Sequence, residues 1–269
     1  MTKVALSAQR AANSQTMAGL ARFGLGARAF VYIVIGWLAI QIARGHSSHE
    51  ANQGGALADI AQHSYGIALL WILGIGFAAY AIWRLSEVAF GTAADGKKAG
   101  PRVRSLVRGI VYAAFSVTTF SFIAGASKQG QAHQQVTLTA RLMKHGYGRW
   151  LVGLIGLIVV LVGLNMIVEC VKKKFEKQLR MDEMRGPTRT LVIRLGMVGT
   201  IARGIVFAIA GALVVDAAVT FKPSKSTGLD GALRALAHYP YGPWLLGVVA
   251  VGLVVFGFFG FAQARWAKT

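Results

Sequence analysis

Three arginines and three closing acid or amide residues carry most of the chemistry open to this chain. Arg28, Arg108 and Arg203 each open an apolar segment, in the contexts Gly26-Ala27-Arg28-Ala29-Phe30-Val31-Tyr32, Leu106-Val107-Arg108-Gly109-Ile110-Val111-Tyr112 and Ile201-Ala202-Arg203-Gly204-Ile205-Val206-Phe207. Glu87, Glu169 and Gln263 each close another such segment. In a two-helix hairpin these ends can meet. The expected arrangement is therefore an Arg28–Glu87 ion pair, an Arg108–Glu169 ion pair and an Arg203–Gln263 hydrogen bond, since pairing lowers the cost of charge at membrane depth. A charged gate around a threefold axis is the functional alternative. Thirteen residues after each arginine stand Gln41, Ser121 and Asp216, about 20 Å along a helix at 1.5 Å per residue. A polar layer there would either ring a pathway or face the opposite headgroups. Asp216 carries most interest, because acids inside membranes tend to be functional.

Other chemistry is excluded or reduced to packing. His63, His145 and His238 recur near one interface, without the spacing or opposed placement that ligation of a haem requires; interfacial hydrogen bonding is the expected role. The single cysteine, Cys170, rules out an internal disulfide and a cysteine-based metal site, and reads as a small packing residue near a helix end. Neither a G-x-G-x-x-G pattern nor a Walker loop occurs. With no nucleophile–base pair and no metal set, neither an enzyme nor a cofactor is expected.

The elements that position these residues are membrane spans. The 269 residues are 55% hydrophobic and 14% charged, with mean hydropathy +0.52; a soluble domain carries about 25% charged residues. Gly66–Trp83, Gly109–Ser127, Trp150–Val168 and Pro243–Ala264 lack charge and reach the roughly 18 residues that cross the hydrocarbon core. Gly204–Val215 is continued past Asp216 by Ala217–Phe221, and Ala29–Ala43 is flanked by Arg28 and Arg44, which can snorkel to the interfaces. Tyr65, Tyr147, Tyr241, Trp150 and Trp244 read as one aromatic belt, Trp83 and Trp266 as the other. The net charge of +19 does not point to nucleic acid, because the basic residues sit in short segments between spans. Twenty of them fall on one side and eight on the other. By the positive-inside rule this predicts a bacterial inner membrane location with both termini cytoplasmic. Lys172, Lys173 and Lys174 would then meet anionic lipid.

An internal repeat organises the chain. Arg28 to Tyr65, Arg108 to Tyr147 and Arg203 to Tyr241 are 37, 39 and 38 residues apart, and from each tyrosine to Glu87, Glu169 or Gln263 is 22. Each second helix opens on tyrosine and glycine after a nearby histidine, and each unit carries a short helix-like stretch, at Gly55–Gln62, Thr137–Lys144 and Gly231–Ala237. The pattern predicts an all-α integral membrane fold of six transmembrane helices, as three two-helix repeats with pseudo-threefold symmetry. The units are a tail at 1–25, without signal-peptide character, repeats at 26–90 and 91–171, a basic linker at 172–199 and a third repeat at 200–269. The linker is expected to prolong the fourth helix. On these openings the chain, over about Leu20–Trp266, resembles a bacterial membrane family known only as a domain of unknown function, in which a two-helix unit occurs three times. The first unit departs at Ala29 and the third at Gln263. The resemblance implies the architecture and no activity. Two functions stay open: passage of a small solute or ion along the pseudo-threefold axis, or a non-catalytic membrane subunit or scaffold binding a partner protein or anionic lipid.

Overall fold

The computed structural model describes residues 15–46, 49–90, 99–125 and 130–267. The expected tail at 1–14 and the basic residues Lys97, Lys98 and Lys268 lie outside the described residues. Six helices are long and apolar enough to cross a membrane: α1 (Gln15–Ala43), α3 (Gly66–Phe90), α4 (Ala99–Ile123), α6 (Gly148–Val171), α7 (Gly186–Thr220) and α9 (Gly242–Trp266). Three shorter helices, α2 (Gln53–Ala61), α5 (Gln131–Met143) and α8 (Gly228–Ala237), join the two spans of each repeat. Every described element of length is helical, as six spans in a hydrocarbon core require, since all backbone groups must be paired within the segment.

Two boundaries differ from expectation. The tail was expected to run to residue 25, but α1 already begins at Gln15. The linker at 172–199 does not prolong the fourth span. That span ends at Val171, where Lys173 adopts a left-handed backbone with φ 52°, and short 3-10 turns follow at Lys174–Gln178 and Met181–Glu183. The fifth span takes up the rest of the linker: α7 starts at Gly186 with Pro187 in its first turn, a position where the missing N–H costs nothing. Its 35 residues exceed what a bilayer needs. Leu179 pairs with Ala267 and the Arg180 N–H donates to the Trp266 carbonyl at 2.9 Å, so the linker folds under α7 and α9.

The Tyr-Gly signature has a steric cause. A Cβ on Gly66, Gly148 or Gly242 would collide with the carbonyl of Ile60, Leu142 or Ala237, at the end of the preceding short helix. Only glycine allows the chain to fold from the short helix straight into the span. The recurrent histidines belong to the same corner: Nδ1 of His63, His145 and His238 lies 3.0, 3.2 and 2.7 Å from the carbonyls of Asp59, Arg141 and Arg234. A carbonyl only accepts, so each Nδ1–H donates and caps its short helix.

The spans run in the spatial order α4, α3, α1, α9, α7, α6. The most extensive interfaces, α6–α7, α9–α1 and α3–α4, join the second span of one repeat to the first span of the next. Within repeats, α1 packs on α3 and α7 on α9, but α4 and α6 do not pack on one another. The spans therefore form an arc whose two ends, α4 and α6, leave one open seam inside the second repeat. The short helices close the end remote from the termini. Ala51 N–H donates to Asp230 Oδ1 at 2.8 Å, Gly54 N–H to Gln131 Oε1 at 3.0 Å, Ala132 N–H to Glu50 Oε2 at 3.0 Å and Thr139 Oγ1 to Ser226 Oγ at 2.9 Å. These bonds link the first repeat to the second, the second to the third and the third back to the first.

Candidate functional site: a buried arginine cluster

The three repeated arginines converge toward the end of the bundle that bears the termini. The side chain of Arg108 stands within Coulombic reach of those of Arg28, Arg203 and a fourth arginine, Arg84. The partners, however, are not those of a hairpin. Arg28 Nη2 donates to Gln263 Oε1 at 2.6 Å, which joins the first repeat to the third. Glu87 accepts from Arg84 Nη1 at 2.8 Å and from Ser105 Oγ at 2.6 Å, the latter across α3–α4. The expected Arg28–Glu87, Arg108–Glu169 and Arg203–Gln263 contacts are replaced because each first span packs chiefly on the preceding repeat. Glu169, on the open side of α6, has neither a hydrogen bond nor an ion pair among the described residues.

Aromatic rings hold the guanidinium groups in place of carboxylates. Arg203 lies 5.1 Å from the Tyr32 ring centre and 5.0 Å from those of Phe207 and Phe256, and Arg28 lies 5.5 Å from Phe256. Arg84 stacks at 4.0 Å on Trp83 and donates twice to Tyr80 Oη. Tyr80 meets Tyr112 edge-on at 4.5 Å, and Tyr32 meets Phe256 at 4.8 Å. Each such face attracts a guanidinium by about 0.5–2 kcal/mol. Tyr32, Tyr112 and Phe207 stand four residues after their arginines, on the same helix face. This spacing was present in the quoted openings; Tyr80 and Phe256 share a repeat position, each 15 residues after Tyr65 or Tyr241, but the second repeat has Val162 there, and Arg84 has no repeat counterpart.

The charges do not balance. Four guanidinium groups share one paired carboxylate, that of Glu87. Arg28 is 8% exposed, yet its Nε and that of Arg203 are buried without a partner. Arg108 differs. It is exposed although it stands among Arg28, Arg84, Arg203 and Tyr80. Its neighbours along α4 include Arg104, one turn nearer the termini face.

The remaining expected site residues do not meet. Ser121 Oγ donates to the Val117 carbonyl of its own helix at 2.9 Å, and Asp216 binds Lys225 Nζ at 2.6 Å on the capped face. Gln41 is half-buried in the last turn of α1. No hydrogen bond or ion pair joins any two of the three among the described residues. Between that level and the arginines, the apolar side chains of Ile35, Leu38, Leu73, Phe77 and Leu253 are buried. Lys172, Lys173 and Lys174 are exposed at the end of α6. Cys170 is buried, its Sγ 3.4 Å from the Met197 carbonyl.

Known proteins corroborate the repeat. The profile described as Domain of Unknown Function (DUF1206) matches three times, over residues 23–91, 103–173 and 198–267. A protein of Bacillus subtilis (strain 168), titled Uncharacterized protein YxxB, is 30% identical over 265 residues, covering 94% of this chain and 95% of its own. No solved structure matches. With each match falling on one helix–short helix–helix unit, the chain belongs to the family described as Domain of Unknown Function (DUF1206).

Proposed function

We propose that the protein is a non-catalytic membrane component that holds an anionic group at its arginine cluster. The carrying observation is the excess of four guanidinium groups over one paired carboxylate, with two Nε atoms buried and unpartnered. Removing a charged group from water costs several kcal/mol, and its partners repay that only when they complete its bonding. An arginine at the centre of a span costs about 2.5–3.5 kcal/mol even on the mildest scale. Aromatic faces offset part of this; an anion would supply the rest. A membrane protein that keeps uncompensated arginines in its interior is built around their partner.

The charge bias of the loops supports an inner membrane location with cytoplasmic termini, which sets the cluster in the cytoplasmic half of the bilayer. A role for the Lys172–Lys174 run in anionic lipid contact, or in binding a membrane partner, fits the same face. Passage along the threefold axis has less support, since no hydrogen bond or ion pair joins Gln41, Ser121 and Asp216 among the described residues.

The test is anion-dependent stability of the full chain in neutral detergent. A ligand at 100 times its Kd raises stability by about 2.7 kcal/mol. Titration with a soluble short-chain phosphatidic acid should raise the unfolding midpoint saturably in the native chain and not in Arg203→Gln. A midpoint indifferent to the anion in the native chain would overturn the proposal.

A further inference from the structure

We infer that the anion is the headgroup of a lipid from the surrounding leaflet, and that it reaches the arginines sideways, through the open seam between α4 and α6. The inference rests on the anion-holding reading above and names its ligand class and route.

Two helix faces define the seam. On α4, Ser105, Gly109, Tyr112, Ser116 and Thr119 are buried against α3. Beside that stripe runs a second, Arg104, Arg108, Val111 and Phe115, at the four- and three-residue steps that share a helix face. Arg104, Arg108 and Val111 are exposed. On α6, Val152, Gly156, Gly163 and Cys170 are buried against α7. The opposite side of the helix is uncovered: Ile158, Leu161, Val162 and Asn165 are all exposed. Asn165 lies about 160° round from Gly163 at 3.6 residues per turn. Among the described residues, no element packs across the two faces at the level of the cluster; α5 covers the seam only at the capped end, where it packs on α6, α2 and α8.

The seam is thus amphipathic along its length. Toward the termini face it offers Arg104, then Arg108, then the buried Arg28 and the half-buried Arg203. Toward the capped end it offers Val111, Leu161 and Ile158. A guanidinium fork matches phosphate geometry, and exposed apolar walls suit acyl chains. A free anion would use the first part and leave the second bare; a phospholipid occupies both. The seam opens between two helices long and apolar enough to cross a membrane, so the bilayer is the phase in direct contact with it. Glu169, unpaired on the open side of α6, opposes an anion there and tunes its retention.

Photocrosslinking tests this directly. p-Benzoylphenylalanine is placed at Val111, on the seam face, or at Ile110, the next residue and turned about 100° away, in the full chain reconstituted in mixed phosphatidylglycerol–phosphatidylcholine vesicles. At Val111 the lipid adducts should be enriched several-fold in phosphatidylglycerol over the bulk mixture, and Arg108→Gln should abolish the enrichment. Glu169→Gln should increase it. At Ile110 the adducts should match the bulk composition. Adducts at Val111 that match bulk, or that join two protein chains, overturn the inference, the latter because a second copy then fills the seam. So does enrichment erased by millimolar inorganic phosphate, which would make the ligand a free anion. Any of these results alongside anion-dependent stability leaves the anion-holding reading standing and removes only the lipid route.

Discussion

Gly163→Ala adds one methyl group at the tightest point of the α6–α7 crossing, and its cost can be worked from distances. The new Cβ would stand 2.6 Å from both Ala208 N and Gly204 O, whereas ordinary contact begins at 3.4 Å. Both obstacles are backbone atoms, so no rotamer change relieves them. The helices must part by about 0.8 Å, and a gap of that size forfeits a quarter to a half of each contact's dispersion energy. The crossing is reciprocal: a Cβ on Gly204 would meet Gly163 O at 2.9 Å, one on Gly211 would meet Val160 N at 2.6 Å, and one on Gly156 would meet Val215 N at 2.8 Å. Separation at one point therefore loosens all four. Overpacking of this kind costs about 1–3 kcal/mol; α6, with no α4 on its other flank, can shift outward, which relieves part of the overlap by opening the α6–α7 interface. Cys170 supplies a second readout. Its Sγ is buried in the same interface, 3.7 Å from the Gly196 carbonyl and 3.4 Å from that of Met197, so its reaction with maleimide in detergent should accelerate at least tenfold as the unfolding midpoint falls. Gly153→Ala, whose Cβ meets only Ala218 Cβ at 3.6 Å, and Gly247→Ala, with nothing within 4 Å, should change neither. If Gly163→Ala unfolds no earlier than Gly247→Ala and Cys170 stays equally protected, the glycine account of this interface is wrong.

Three further outcomes follow from the contacts. Asp230→Ala leaves the buried Ala51 N–H without its acceptor and should cost about 1–3 kcal/mol in thermal unfolding, while Asp230→Asn, which keeps an acceptor oxygen, should cost less. Glu87→Gln removes the one paired carboxylate from among four guanidinium groups; breaking a buried pair from one side costs about 3–5 kcal/mol, and a loss under 1 kcal/mol in the same assay would contradict the charge excess. Asp216→Asn removes a pair with Lys225 whose side chains are 45% and 35% exposed. It should cost under about 1 kcal/mol and leave ion flux through proteoliposomes unchanged; a flux that drops would restore the polar layer as a pathway.

The spans, the threefold period and the three short helices were legible in the sequence because each is a local signal: an apolar run, a fixed offset, a Tyr-Gly corner. The short helices begin a few residues earlier than their apolar cores, at Gln53, Gln131 and Gly228, because polar first turns carry no hydrophobic signal. Pairing was not legible. An arginine at one end of a first span and a glutamate at the same end of a second span are equally compatible with contact inside a repeat or between repeats. Only the packing order decides, and Arg28 finds Gln263 across 235 residues. Arg84 escaped for a different reason: its counterparts three residues before Glu169 and Gln263 are Met166 and Gly260, so no repeat flagged it, although it completes the cluster.

The seam itself has a cause in residue type. Helices in lipid gain nothing from burying leucine against leucine, and they associate where small residues let backbones approach. Each closed contact among the spans is met by glycines. At α1–α3 a Cβ on Gly24 would touch Gly76 O at 2.8 Å; at α1–α9 one on Gly36 would touch Ala250 O at 2.9 Å and one on Gly257 would touch Ala29 O at 2.8 Å. At α7–α9 one on Gly199 would touch Phe256 N at 2.6 Å, and at α3–α4 one on Gly109 would touch Leu85 at 2.9 Å. The α4–α6 seam has no such residue: Gly156 and Gly163 of α6 face α7, and Gly109 of α4 faces α3. Helices that present valine, leucine and arginine to one another across a bilayer have no close approach to make. The opening is thus written into the second repeat by the absence of glycine on two specific faces. It lies beside Arg108, the most exposed of the three arginines and the one with no hydrogen-bonded or stacked partner among the described residues, which is the arrangement a lipid-facing binding site needs and a sealed scaffold does not.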